Sequence, residues 1–377
     1  MKKILKILML AVMMAACVMT AVACGGSEDG GSDKKGLQCK TKNGVYTIYK
    51  YIDDGETKVL DIGAKLDAGV ENVKIGANAF SGNDTIEEII VPSTVTAFEE
   101  GAFAGMKKLK KITIPFVGAS ANADVTYGDS AESTDKATDV ARTFGYLFGT
   151  SEYDGGSKVP VTYNASTEDL SRYMPSELRT VVIKAEAGYK IPMDAFNGCK
   201  NLTKIELSSG ITEIGENAFK DCINVVDLVV PATVSVIHKG AFTNCIRLNA
   251  NVIANATALE TIGESAFEGA FDKDHPVELT LPANIVIAKK AFSGSFVKKI
   301  AISGNVKIGD SAFASCTKLV AVTFESATGT INQFAFKGAT KLTQFGNEAG
   351  KINTDGFVVE SLAFDPVEEA EDEVVSE

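Results

Sequence analysis

The sequence predicts an α/β solenoid, predominantly β: a right-handed superhelix of repeats of about 23 residues, each a short strand plus one 3₁₀ or helical turn. Three observations predict it. The dipeptide Ala-Phe recurs at Phe80, Phe103, Phe196, Phe219, Phe242, Phe267, Phe292, Phe313, Phe336 and Phe364, with spacings of 23, 93, 23, 23, 25, 25, 21, 23 and 28 residues. Apolar residues keep fixed offsets within units: Leu202, Ile205, Leu207, Ile214 and Phe219 follow Phe196, and Val225, Leu228, Val230, Ile237 and Phe242 follow Phe219. The units opening at Phe80 (Ile86, Ile89, Val91, Phe98, Phe103) and Phe313 (Leu319, Val322, Phe324, Ile331, Phe336) repeat the same offsets. Finally, an isoleucine stands five residues before most of these phenylalanines, at 75, 191, 214, 237, 262, 287, 308 and 331.

The chain opens with Lys2-Lys3 and an apolar run from Ile4 to Met19 interrupted only by Lys6, then Ala21-Val22-Ala23-Cys24. A basic start, a short apolar core and small residues before a cut describe a secretory signal over residues 1–23. The run is short for a membrane span, which needs about 20 residues. Small residues followed at once by cysteine resemble a bacterial lipobox, with Ala21 where that family usually has Leu. The resemblance implies lipidation of Cys24 and a protein held at the bacterial cell membrane or surface through that anchor. Plain cleavage after Ala23, giving a secreted product, is the alternative. Cys17 is a second candidate, but it lies inside the apolar core. The Gly/Ser/acid-rich stretch 24–36 reads as a flexible tether.

Residues 37–72 are expected to form an N-terminal β cap, with Val45-Tyr46-Thr47-Ile48-Tyr49 as one strand and Cys39 buried inside. The solenoid is expected over 73–364. Within each unit, Ile205-Glu206-Leu207 or Ile112-Thr113-Ile114 has the apolar-polar-apolar alternation of a half-buried strand. Proline follows at 92, 115, 231 and 282, where a missing N–H does little harm. Gly215-Glu216-Asn217-Ala218-Phe219 is then expected to be one helical or 3₁₀ turn that places its ring in the core. One unit cannot cover its own apolar edge, so neighbours must stack, with coils about 4.8 Å apart. Cys199, Cys222, Cys245 and Cys316 each lie three residues after an Ala-Phe. Identical register gives parallel side-chain vectors, poor for disulfides, so these read as small buried hydrophobes. Residues 365–377 form an acidic tail, expected to be solvated and disordered.

The motif resembles the BspA-like subfamily of bacterial leucine-rich repeats. It is carried by Leu109-x-x-Ile112-x-Ile114-Pro115 and by Ile214-Gly215-x-x-Ala218-Phe219-x-x-Cys222, among others, over about 73–115 and 178–364. The resemblance implies a leucine-rich-repeat solenoid, exposed on the cell surface, in adhesion or host-contact roles.

The repeat stops after Pro115 and resumes at Leu178, leaving an insertion at 116–177. It holds an apolar patch, Phe144-Gly145-Tyr146-Leu147-Phe148, and an expected hairpin turning at Gly155-Gly156 before Val159 to Tyr163. Five of the nine tyrosines lie here: Tyr127, Tyr146, Tyr153, Tyr163 and Tyr173. Tyrosine offers contact area at little entropic cost, so these are the candidate partner-binding residues; the rival reading packs them onto neighbouring coils. The second candidate surface is the strand face. Its middle row reads Ile90, Thr113, Glu206, Val229, Thr280, Ala301 and Thr323, beside a mixed-charge row of Glu88, Lys111, Lys204, Asp227, Glu278 and Lys299.

Formal net charge is −12, and removing residues 1–23, with three lysines and no acid, takes it to −15. Such a polyanion repels nucleic acid and anionic headgroups, so no nucleic-acid partner is expected and the lipid is the only membrane contact. With two histidines, no tryptophan and no Gly-x-Ser-x-Gly, His-Glu-x-x-His or P-loop pattern, no catalytic, metal or cofactor residues are assigned. The expected function is a monomeric, non-enzymatic module that binds an extracellular protein or glycan. A passive envelope spacer is the runner-up, and a β-solenoid polysaccharide-active enzyme the remote alternative.

Overall fold

The computed structural model describes residues 35–121, 140–161, 170–346, 351–352 and 357–359. It shows a stack of coils with two faces of mainly parallel strands. The hairpin β1 (Gly36–Lys42) and β2 (Val45–Ile52) starts it. Successive coils then give β3 (Val59–Asp61) and β4 (Val73–Ile75), β5 (Glu88–Ile90) and β6 (Val95–Phe98), and β7 (Lys111–Ile114). A second hairpin, β8 (Gly156–Val159) and β9 (Arg172–Pro175), lies in the insertion. The regular coils resume with β10 (Thr180–Ile183) and β11 (Tyr189–Ile191), β12 (Lys204–Leu207) and β13 (Ile211–Ile214), and β14 (Asp227–Leu228) and β15 (Val236–Ile237). Next come β16 (Thr261–Ile262), β17 (Val277–Thr280) and β18 (Val286–Ile287). In β19 (Val297–Ile308) and β20 (Ala321–Ile331) the two strands of a coil fuse into one, and β21 (Gln344–Phe345) and β22 (Phe357–Val359) follow.

On the first face six strands run β3-β5-β7-β10-β12-β14. Their registers align Leu60, Ile89, Ile112, Val181, Ile205 and Leu228 into one buried row. The row thus begins at Leu60, inside the stretch expected to be only a cap. Tyr51 takes the phenylalanine position of this first coil, stacking on Phe80 at 5.6 Å. The 3₁₀ turn Ala250–Ile253 fills the first-face position between β14 and β17, capped by the Asn249 side chain accepting from the Asn251 N–H.

Between the faces runs the phenylalanine column, whose nine described Ala-Phe rings from Phe80 to Phe336 are all buried. From Phe196 to Phe336 the centroids stand 5.0–5.3 Å apart with planes within 12°. Full burial of each ring contributes about 1.5–3 kcal/mol, and each is sealed by its neighbours rather than by its own coil. Phe345 meets Phe336, the last described ring of the column, edge-on at 78°; Phe364 lies outside the described residues.

The turn carrying each ring differs from the expected helical turn. Residues two before and two after the phenylalanine are left-handed: Asn217 (φ 52) and Asp221 (φ 57) flank Phe219, and Gly240 (φ 63) and Asn244 (φ 60) flank Phe242. A left-handed residue flips the peptide plane, so alternate N–H groups point in different directions. Those of Asn217, Phe219 and Asp221 reach the Lys239, Ala241 and Thr243 carbonyls of the next coil, while those of Ala218, Lys220 and Cys222 close turns within their own. A helix would direct all of them inward and leave the stacking direction unbonded. Glycine at Gly215 has a separate cause: a Cβ there would come 2.5 Å from the Ile191 carbonyl oxygen.

The four cysteines behave as expected. Cys199, Cys222, Cys245 and Cys316 are buried free thiols. The last three donate to the Phe196, Phe219 and Phe292 carbonyls of the preceding coil at 3.0–3.1 Å. Burial pushes Cys316 up to about 12 and raises the other three well above the usual thiol range, so all four remain neutral. Cys39 is buried in β1, as the sequence suggests.

Candidate functional site

The insertion is part of the stack. The first face passes it without a gap, since β7 pairs directly with β10. The second face is split there, with β6 ending one sheet and β11 starting another. The insertion occupies that break. The Phe98 N–H donates to Ala119, the Ala119 N–H to Ala141, and the Val117 N–H to the Tyr189 hydroxyl at 2.9 Å.

The apolar patch Phe144–Phe148 is a 3₁₀ segment that restores the missing rung. The Phe103 N–H bonds the Leu147 carbonyl from the coil below, and the Phe144 N–H bonds the Ala195 carbonyl of the coil above. Its two rings bridge the column, Phe103 to Phe148 at 6.5 Å and Phe144 to Phe196 at 4.9 Å. The 93-residue gap in the Ala-Phe series is therefore one coil, enlarged.

The insertion's hairpin forms with a different reversal point from the one expected. The turn at Tyr153–Gly156 leads into β8, with the Gly156 N–H on the Tyr153 carbonyl, and β8 pairs antiparallel with β9; 162–169 between them lie outside the described residues. Pro160 has no N–H to donate and ends the strand. Arg172 staples the hairpin to the coil beneath. Its buried guanidinium pairs with Glu100 at 2.8 Å and donates to the Leu170 carbonyl at 2.6 Å. Gly145 permits this approach, since a Cβ would meet the Arg172 Cβ at 2.9 Å.

Of the candidate tyrosines, Tyr127 and Tyr163 lie outside the described residues. Tyr146 is half-buried and packs on the core, and burial, then Glu100, raises its hydroxyl above the usual range. Tyr153 is half-buried, its hydroxyl without a hydrogen-bond partner. Tyr173 is half-buried in β9 and donates to Glu152 at 3.5 Å. The three described rings thus do not converge on one exposed platform; Tyr146 serves the core, and Tyr153 and Tyr173 edge the hairpin.

The strand face is electrostatically paired. Glu87 sits between Lys58 and Lys110 at 3.4 and 2.8 Å, Lys111 meets Glu88 at 2.9 Å, Lys204 meets Asp227 at 3.1 Å, and Lys299 meets Glu278 at 3.2 Å. Thr113, expected in the exposed middle row, is only 4% exposed, because the side chains at its register partners Ile90 and Val182 flank it. On the second face Lys190, Glu213 and His238 form a triad across three coils. Burial raises the Glu213 carboxyl, but its hydrogen bonds with Lys190 and His238 outweigh this and hold it below the usual range. Among the described residues no group of three or more His, Cys, Asp or Glu could hold a metal, and no helix is long and apolar enough to cross a membrane.

A sequence profile for the BspA-type leucine-rich repeat region matches residues 68–141, 171–285 and 285–358 in six copies. The chain belongs to this family. It is also similar to solved structures at low identity. A leucine-rich repeat protein from Bacteroides ovatus shares 18% identity, with 86% of this chain and 89% of that one covered and a TM-score of 0.39. A leucine-rich cell surface protein from Faecalibacterium prausnitzii shares 18%, with 85% and 87% covered and a TM-score of 0.28. The pneumococcal vaccine antigen PcpA shares 13%, with 88% and 98% covered and a TM-score of 0.32. No curated protein matches the sequence.

Proposed function

We propose that this BspA-type chain is an extracytoplasmic, non-enzymatic surface protein, lipid-anchored at Cys24, whose insertion presents a contact surface to an extracellular protein or glycan. The observation that carries the reading is the mounting of the β8–β9 hairpin. It is held by the pair of buried Arg172 with half-exposed Glu100 and by a 3₁₀ rung built into the core, so it is presented on a fixed base. The paired charges of the strand face favour the passive spacer as the second reading, since that face offers neither a field of one sign nor an aromatic platform.

The test is a binding survey of the full chain against glycans and extracellular-matrix proteins, with Tyr173→Ser beside it. Deleting 116–177 would confound the result, because Phe144 and Phe148 belong to the core. Saturable binding weakened about tenfold by Tyr173→Ser supports the hairpin site. Binding untouched by it moves the contact elsewhere, and no binding leaves the spacer. Anchoring is tested separately: Cys24→Ala should abolish incorporation of labelled fatty acid, and globomycin should make the uncleaved precursor accumulate; no accumulation of precursor would refute it.

A further inference from the structure

The insertion meets the first regular coil above it at a small cavity lined by Thr143, Gly145, Val159, Pro160, Val161 and Asp194, with the Cys199 thiol behind. Asp194 stands two residues before Phe196, at a position where the other described coils carry Asn, Gly, Ser, Lys or Phe. The carboxylate in this column therefore falls where the insertion roofs the position. It is left-handed (φ 55), its N–H bonds the Glu216 carbonyl of the next coil, and its side chain accepts from Asn197 at 3.0 Å. The backbone is thus fixed on both sides, and the half-buried carboxyl lies against the insertion residues that line the cavity.

We propose that the seam between insertion and solenoid is a pH-dependent joint, closed more tightly when Asp194 is protonated and loosened when it ionises under its apolar roof. Burial raises this carboxyl from 3.8 to about 6, against the opposing pull of Asn197 and Arg142. The docked state therefore holds the proton more tightly than an open one. Its extra stability is complete below about pH 4 and is lost as pH rises towards about 6. The groups facing Asp194 are Arg142 on the insertion, Glu216 and Lys220 on the next coil, and Cys199 on its own. Arg142 stays cationic throughout, and burial keeps the Cys199 thiol neutral. The joint is a property of the fold and holds whatever the insertion binds.

Hydrogen exchange on the full chain tests it, with rates normalised for the intrinsic pH dependence. Opening of the 143–148 amides should rise about tenfold from pH 5 to pH 7.5, the ratio that a shift from 3.8 to about 6 yields. Amides of 236–245, remote from the seam, should show no such rise. Asp194→Asn should flatten the profile at the protected level; Asn217 occupies the same left-handed position one coil on, so the variant is compatible with folding. Glu216→Gln should keep the slope. An unchanged slope in Asp194→Asn, or its loss in Glu216→Gln, overturns the proposal. So does a carbon-13 titration of the wild-type carboxyl that places Asp194 below about pH 4.5, a readout that depends on no variant.

Discussion

At the scale of single residues, the ladder of thiols shows how one offset in the repeat acquires a physical role. The position three after each phenylalanine holds Asn83, Met106, Cys199, Cys222, Cys245, Ala270, Ser295, Cys316 and Ala339, and every one is buried. What the site demands is a small or slender side chain, and a donor there can reach the carbonyl of the coil before. Burial keeps the thiols protonated, and only the thiolate is nucleophilic. The folded protein should therefore resist alkylation by iodoacetamide at Cys199, Cys222, Cys245 and Cys316, with full labelling after denaturation. Peptide mass spectrometry checks this; labelling of the native protein at the rate of an exposed thiol would contradict it. Gly215 is constrained differently. A Cβ would press the Ile191–Pro192 backbone, which cannot move without parting two coils, so Gly215→Ala should cost about 1–3 kcal/mol in urea melts.

At the scale of elements, the sequence disclosed most where the repeat is strict. The isoleucines at 75, 191, 214 and 237 and the strand cores at Ile89, Ile112 and Ile205 lie buried where their alternation placed them. The form of the turn was not legible in the same way, because propensity for a helical turn and the demand for cross-coil bonds conflict there. One signal existed: the position two after the phenylalanine is Gly82, Gly105, Gly198, Asp221, Asn244, Gly269, Gly294 and Gly338, residues that accept left-handed φ most readily, with Ser315 the exception. The insertion's rung was hidden because Phe144-Gly145-Tyr146-Leu147-Phe148 bears its rings without the Ala-Phe spelling, and nothing local revealed that Arg172 would be buried. That pair carries its own prediction. Glu100 is half-exposed and Arg172 is not, so losing the acid strands a buried cation, whereas losing the cation leaves an acid that water can solvate. Glu100→Ala should cost about 2 kcal/mol and loosen the hairpin to proteolysis, with Glu100→Gln intermediate. Equal stability of Glu100→Ala and the wild type would mean that the pair contributes nothing to docking.

At the scale of the whole molecule, stability passes from coil to coil. Each phenyl ring touches its neighbours along the stack, so removing one weakens a junction rather than a centre. At the limits of the described column Tyr51 stacks on Phe80 and Phe345 meets Phe336 edge-on, while Lys40 and Lys42 lie on the edge strand β1, where a charged edge discourages further pairing. That charged edge should keep the protein a monomer at micromolar concentration, as sedimentation would show. The junction argument is testable at Phe267, whose ring stacks between Phe242 and Phe292 at 5.0 and 5.1 Å and is fully buried. Phe267→Ala removes both contacts and should cost about 3–5 kcal/mol. In a globular core that loss would lower one cooperative transition. In a stack held by nearest-neighbour terms it should uncouple the coils before 242 from those after 292. Urea unfolding followed by hydrogen exchange should then show 297–345 melting apart from 180–230, with a shallower overall transition than the wild type. A single transition with unchanged slope and only a lower midpoint would mean that coupling along the solenoid is carried by the sheets on its faces, and that the column of rings fills space without transmitting order.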